Sequence, residues 1–265
     1  YEQLLDATTP PALDTLSPGY KLFDCSDVSS LKIGADQVIV GQADLPVPAV
    51  IRSPHPRPKG GGFHKGRDWR WIPLVEARTS SGEWRGTPVT LMVHASGPYK
   101  GGVWASFGIG DMDWYKSPTV LSMIRQIAER MKNPVWMVDG GTNYYTYFEG
   151  QMVKTGVRAV NLGEESESVI EHVRVGDYEL TSRVSLKPGE EKTLPADWKP
   201  KSWPEDGLIA TAELIQDGKV IDRVSHELNV WKPKKVKEFI TVKDGDFVLG
   251  GKPWKPHGVN YMPSS

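Results

Sequence analysis

Among residue types able to do covalent or proton-transfer chemistry, this chain offers one thiol and six imidazoles. Cys25 lies in Leu22-Phe23-Asp24-Cys25-Ser26-Asp27, without the glycine-flanked elbow that lifts a nucleophile above a sheet. His55, His64 and His94 are remote from it in sequence, so Cys25 is expected to be a buried, inert thiol. Serine, histidine and aspartate all occur, but Gly-x-Ser-x-Gly does not, and a serine hydrolase has no anchor. His55 with His64, and His172 with His226, lack zinc-type spacing and neighbouring cysteines, so neither metal nor cofactor is expected. His226 falls on the apolar face of its strand and reads as a satisfied, half-buried imidazole.

Two other groups of residues point to binding. Residues 52–67 are basic and include Gly60-Gly61-Gly62, a composition suited to an anion. They lack the Gly-Lys-Ser/Thr ending and the strand-to-helix setting of a phosphate loop, so a solvated surface loop is the better expectation. Trp69, Trp71, Trp84, Trp104 and Trp114, with Tyr144, Tyr145 and Tyr147, are numerous enough to suggest sugar-stacking platforms. The same rings are efficient core filler, and only an exposed coplanar pair would favour the platform.

The elements that position these residues fall into three regions. Residues 1–134 begin with a proline-rich half that excludes long helices and central strands. Val38-Ile39-Val40 reads as a short strand, and 87–95 and 103–109 as better ones. A helix follows: Ser117 is a suitable N-cap, Pro118 sits at the first position, and Val120, Leu121, Ile124, Ile127, Ala128 and Met131 recur at helical spacing. Residues 135–233 read as all-β, with about seven short strands in about a hundred residues, as in an immunoglobulin-like sandwich. Asp217-Gly218 supplies the turn of its best hairpin, whose return strand sets Val220, Val224, Leu228 and Val230 against Arg223, Ser225, Glu227 and Asn229. Residues 234–265 open with a basic linker and continue as short strands punctuated by Asp244-Gly245 and Gly250-Gly251.

Composition bounds the rest. The 265 residues carry 32 Lys+Arg against 33 Asp+Glu, a balance that argues against a general nucleic-acid binder. No apolar run approaches the roughly 20 residues that span a bilayer, and a single Cys excludes an intrachain disulfide framework. Tyr1 is not an initiator Met, no secretory pattern follows it, and 256–265 read as a strand only just begun. The expectation is therefore an excerpt of a longer polypeptide.

The stretch Phe239-Ile240-Thr241-Val242-Lys243-Asp244-Gly245-Asp246-Phe247-Val248-Leu249-Gly250-Gly251-Lys252-Pro253, followed by His257-Gly258-Val259-Asn260-Tyr261, resembles the start of a (β/α)8 barrel. The barrel is that of bacterial glycoside hydrolases of the large retaining clan, which includes cellulase-like and β-galactosidase-like enzymes. There a hairpin caps the barrel floor and the Gly-Val-Asn-Tyr segment is the first barrel strand; Gly250 stands where that pattern usually has Asn. Upstream, 67–74 and 101–108 resemble the tail of an amidotransferase-like α/β domain. Catalytic groups of a barrel sit at the C-terminal ends of its strands, and retaining glycosidases use two carboxylates about 5 Å apart. The resemblance places those carboxylates after later strands, so no catalytic residue is expected within this chain. Asn260 and Tyr261 would lie at the end of the first strand and line the sugar cleft of the parent.

The resulting expectation is an α+β, mostly β chain: a partial α/β layer (1–134), an immunoglobulin-like sandwich (135–233), and the opening hairpin and strand of a truncated barrel (234–265). It would be a non-catalytic accessory region of a multidomain glycoside hydrolase. Its partners would be a poly- or oligosaccharide and the remainder of the parent polypeptide, with no nucleic acid and no membrane span. By the same resemblance its place is extracellular or periplasmic. A carbohydrate-binding or adhesion module without hydrolysis, and a pure scaffold, stand as alternatives.

Overall fold

The computed structural model of the chain describes residues 20–56, 69–97, 99–204, 207–232 and 239–255. The chain is mostly β, with one α-helix among those residues. In the first region β1 (Tyr20–Asp24) pairs with β3 (Arg52–Pro56). Next to this pair lies an antiparallel sheet in the order β2 (Ser30–Ile33), β4 (Trp69–Arg78), β5 (Trp84–His94), β6 (Val103–Phe107). Leu91, Val93, Ile72 and Leu74 from this sheet share a core with Val120, Met123 and Ile127 of helix α1 (Pro118–Lys132).

The helix starts where expected, but its buried face is rotated. Val120, Met123, Ile127 and Arg130 point inward, while Leu121 is 40% exposed. Val38-Ile39-Val40 is no strand, although Ile39 and Val40 are buried. The Gln37 side chain takes over the ladder's work: Oε1 accepts from the backbone N–H of Ile39 (2.7 Å) and Val40 (2.8 Å), and Nε2 donates to the Val40 carbonyl (2.9 Å). With its polar groups satisfied locally, the segment has no need of a partner strand.

The second region is two facing sheets. One has the order β11 (Tyr178–Leu186), β10 (Glu167–Val175), β14 (Leu208–Gln216), β15 (Lys219–Trp231), β8 (Thr146–Phe148). The other is built on β9 (Val153–Asn161), flanked by β7 (Val135–Thr142), β12 (Glu191–Thr193) and β13 (Ala196–Trp198). Alternating residues of both, including Val157, Ala159, Val169, Val173, Val184, Ala212 and Leu214, fill the space between. The Asp217-Gly218 turn has both φ angles positive (51° and 75°), as a type I′ hairpin requires.

The β7–β9 pair is covered on both faces. Val135, Met137, Val157 and Ala159 enter the core between the sheets, whereas the directly opposed Trp136 and Val160 enter the core under α1. That double burial is why residues 135–138 read as an unbroken apolar run.

A polar knot ties the two cores together where β15 carries a bulge. The register between β14 and β15 slips at Leu214/Ile215, which leaves Ile221 out of the ladder and turns the Asp222 carboxylate inward to 1% exposure. Asp222 Oδ2 accepts from Arg70 Nη1 (2.8 Å) and from the Met137 backbone N–H (2.9 Å), and Oδ1 accepts from the Arg223 N–H (2.8 Å). Arg70 also donates to the carbonyls of Met137 (2.6 Å) and Arg223 (2.9 Å). Arg130 reaches the freed Ile221 carbonyl (2.8 Å) and the Val135 carbonyl (2.7 Å), and its guanidinium lies 3.5 Å over the Trp136 ring. Burial lowers the Arg130 pKa to about 10, with Asp222 pulling back and Arg70 adding to the fall, so it stays charged at neutral pH. The return strand therefore departs from the alternation expected of it: Asp222 takes an inward position, and Val220 lies beyond the bulge.

In the third region β16 (Thr241–Lys243), β17 (Asp246–Leu249) and β18 (Lys252–Pro253) form a small meander. Its turns hold Asp244, Gly245, Gly250 and Gly251 at φ of 53°, 87°, 57° and 78°. Phe239-Ile240 precede the first strand rather than joining it.

Removing one partner of a buried, hydrogen-bonded ion pair strands the others. Asp222→Ala is expected to destabilise the chain by about 3–5 kcal/mol in urea unfolding, more than Leu121→Ala on the exposed helix face, which should stay within about 1 kcal/mol.

Candidate functional site

The parallel pairing of β8 with the end of β15 gathers exposed rings at one end of the facing sheets. Phe148 lies opposite Trp231 and Thr146 opposite Asn229, and the Asn229 N–H donates to the Tyr145 carbonyl (2.9 Å). Period-two alternation then sends Tyr147 inward, fully buried, and Phe148 outward at 62% exposure. Trp231 is 53% exposed and meets Phe148 edge to face, with centroids 5.6 Å apart and planes at 76°. Tyr144 and Tyr145 are 56% and 68% exposed. Phe148 and Trp231 thus form an exposed edge-to-face pair rather than a coplanar one, with Tyr144 and Tyr145 exposed on the segment that leads into β8.

The cluster stands on fixed supports. The Tyr147 hydroxyl accepts from the Tyr144 N–H (3.0 Å) and donates to Asn143 Oδ1 (2.7 Å), while its ring stacks on Trp203 at 5.7 Å. His226 Nε2 accepts from the Thr142 N–H (3.1 Å), so its proton sits on Nδ1, which faces the Glu227 carbonyl at 3.2 Å. The Tyr145 ring stands edge-on to that imidazole at 4.8 Å. His226 is thus a satisfied, half-buried imidazole. The chain passes it at Gly141, whose φ is +107° and where a Cβ would come within 2.5 Å of Nε2.

Across the outer face of the same sheet runs a charged row on four neighbouring strands. His172 Nε2 faces Glu179 Oε1 (2.7 Å), and its Nδ1 faces Glu213 Oε2 (3.2 Å). Arg223 completes the row through Nε (2.8 Å) and Nη2 (2.6 Å) to Glu213 Oε1. Burial works against ionisation of Glu213, but hydrogen bonds from Arg223 and His172 outweigh it and hold the carboxyl below its usual range. The row couples β11, β10, β14 and β15 and leaves His172 no open coordination position.

The other residues singled out by sequence separate as follows. Cys25 is 2% exposed, with Sγ 4.0 Å from the Arg85 carbonyl. Trp114 is buried and donates to the Pro46 carbonyl (2.8 Å). Trp69, Trp71 and Trp104 are half-buried, and Trp71 and Trp104 flank Met92 across three strands. Trp84 is 44% exposed. His94 is buried beside the Tyr99 ring, 5.4 Å away. Asn260, Tyr261, His64 and the glycines 60–62 lie outside the described residues, as does the His55 side chain. Sequence reading missed Phe148 and Trp231. The signal was present in the alternation Tyr145-Thr146-Tyr147-Phe148, which requires that Tyr147 and Phe148 face opposite ways.

Among the described residues no cluster of three or more His, Cys, Asp or Glu could hold a metal ion, and no helix is long and apolar enough to cross a membrane. No family model and no curated protein matches the chain. Several solved structures similar to it are glycosyl hydrolases. A GH2 β-galacturonidase from Eisenbergiella tayi bound to galacturonate is 12% identical at a TM-score of 0.30, over 92% of this chain and 40% of that one. A putative β-galactosidase from Bacteroides fragilis is 11% identical at 0.29, over 91% and 34%. A glycosyl hydrolase family 2 member from Bacteroides cellulosilyticus is 14% identical at 0.30, over 90% and 29%. This chain thus spans well under half the length of each, and a likeness this loose carries no argument about activity.

Two outcomes test the supports. Gly141→Ala is expected to destabilise by about 2 kcal/mol or more in thermal unfolding, because both the positive φ and the imbedded imidazole oppose a Cβ. Glu213 has its folded pKa below its unfolded value, so its contribution is present above the ordinary carboxylate pKa and is lost as pH falls through the folded one. Glu213→Gln should remove about 1 kcal/mol at pH 7 and flatten the acid limb of the stability profile.

Proposed function

We propose that the chain is a non-catalytic accessory region of a multidomain glycoside hydrolase acting on poly- or oligosaccharides. In this reading residues 1–134 are the tail of an amidotransferase-like domain, 135–233 an immunoglobulin-like sandwich, and 234–265 the opening hairpin and first strand of a (β/α)8 barrel. The observation that carries it is the meander β16–β18. Its two turns adopt the positive φ angles demanded by a sequence that resembles the floor-capping hairpin of such barrels. It also leaves Val242 (68%) and Phe247 (48%) exposed, as is Phe239 (75%) just before it, an apolar surface suited to cover by another body.

The order of strands supports the sandwich assignment. β7 joins one sheet and β8, directly after it, joins the other beside the last strand, so the leading edge is shared between the two layers. The sandwich, knotted to the first region through Arg70, Asp222 and Arg130, would hold the barrel in a fixed direction. Asn260 and Tyr261 would line the sugar cleft at the end of the first barrel strand. The catalytic carboxylates would belong to later strands, and the protein would act outside the cytoplasm, in the periplasm or beyond.

The exposed rings of Tyr144, Tyr145, Phe148 and Trp231 favour a second reading, in which the sandwich itself holds glycans without cleaving them. The edge-to-face pair Phe148–Trp231 offers a corner for one sugar ring rather than a flat track.

A panel of chromogenic glycosides and a glycan array, both run with residues 1–265, separate the readings. The accessory role expects neither turnover nor glycan retention. Retention that Tyr145→Ala and Trp231→Ala abolish would establish the second reading, and turnover by this chain alone would overturn the first. Both substitutions are at exposed positions and should leave stability within about 0.5 kcal/mol.

A further inference from the structure

The β10 side chains that point between the two sheets are Val169, Glu171, Val173 and Val175, and their exposures are 2%, 3%, 1% and 0%. A carboxyl therefore occupies a position in a row of valines. Its cross-strand neighbours are Ser182 on β11 and Leu214 on β14, neither of which carries charge. Glu171 Oε1 is buried with no hydrogen-bond partner. The facing sheet contributes Val157 and Ala159 to the same core, and the short strand β12 sets Lys192, half-buried at the rim, beside Ala159. Two further carboxylates share its side of the sheet, and each has its own partner: Glu167, on the same side of β10, accepts from Gln216 Nε2 (2.8 Å), and Asp222, two strands away in the row through Leu214, is held by Arg70 (2.8 Å). The remaining charged residues named on these strands turn away. His172 and Glu213 join the outer row, Arg174, Glu179 and Arg183 belong to that outer face, and Arg158 with Glu191 pair on the far side of β9 at 3.6 Å.

An ionised carboxylate in such surroundings is penalised unless it is fully hydrogen-bonded, whereas the protonated acid is tolerated. We propose that Glu171 is a proton-operated lock between the two sheets: neutral, it lets them close, and ionised, it draws Lys192 or water inward from the rim and loosens β12 at the edge of the facing sheet. Burial pushes this carboxyl up to about 7, with Lys192 alone pulling it back. The folded form therefore binds more protons than the unfolded one between the ordinary glutamate pKa and about 7. Stability is greatest at the acid end of that window and falls as pH rises through it, the reverse of a salt-bridged carboxylate. A rigid sandwich at mildly acidic pH, loosening towards alkaline pH, would set the conditions under which anything carried on its aromatic end is held firmly.

The test is urea unfolding of the whole chain at closely spaced pH values from 5 to 8.5. The wild-type folding constant is expected to drop by up to about 80-fold across that range, the part of the tenfold-per-unit displacement that lies above pH 5. Glu171→Gln should remove that drop and leave the variant more stable than wild type at pH 8, and Lys192→Met should steepen it. Wild type and Glu171→Gln share every other titrating group, so the difference between them isolates Glu171. A Glu171→Gln profile parallel to wild type would overturn the proposal. Should that variant fail to fold, carboxyl-resolved NMR of the wild type decides instead: a glutamate titrating near 7 supports the lock, and the absence of any carboxyl titrating above 6 overturns it. Amide exchange completes the test. Excess opening of Glu191–Thr193 above pH 7, relative to Leu208–Gln216, is expected, and equal exchange in both would exclude the movement of the edge.

Discussion

The buried Asp222 carboxylate is the constraint on which the arrangement of this chain turns. It lies where three separate pieces of sequence meet: Arg70 from a strand of the first sheet, Met137 from the strand that opens the sandwich, and its own β15. An isolated charge there would be heavily penalised. The knot is tolerable because both Asp222 oxygens accept hydrogen bonds and because the β15 bulge frees the Ile221 carbonyl for Arg130. Such a network specifies direction more than it adds stability. Two apolar cores sharing a strand pair could slide, but carboxylate and guanidinium geometry admits one register.

With that junction fixed, the other features follow in order. Trp136 and Val160 face the helix, so the opposite side of β7–β9 is committed to the sandwich core. β7 runs through Gly140-Gly141, where Ala212 and His226 leave no room for a Cβ, to Thr142, and the chain then crosses to the other sheet as β8. That crossing places β8 beside the end of β15 and exposes the Phe148–Trp231 corner. The aromatic surface is therefore a consequence of where the first strand must switch layers.

The two acidic residues of β10 and β14 illustrate how a sheet's faces assign opposite fates to the same chemistry. Glu213 looks outward to Arg223 and His172, and its negative charge is welcome there. Glu171 looks inward to valines and leucine, where charge is opposed. Position in the pleat, not residue type, separates them.

Sequence alone determined the local elements. Alternation, turn residues and helical spacing located the helix at Pro118, the Asp217-Gly218 hairpin, the meander turns and the mostly β character, because these depend on steric preferences within a few residues. It also marked His226 as a satisfied imidazole and Tyr144 and Tyr145 as candidates for display. Tertiary structure decided the rest. Arg130 belongs to the buried face and Leu121 does not, since the partner of Arg130 lies 92 residues away at Asp222, and no window of periodicity reaches so far. Val38-Ile39-Val40 yielded its ladder bonds to a glutamine side chain, a competition that apolar content cannot reveal. Which of eight aromatic residues reach solvent depended on which strand each one's neighbour had found. Long-range pairing sets these outcomes, and the energy that selects them is shared among residues that sequence order keeps apart.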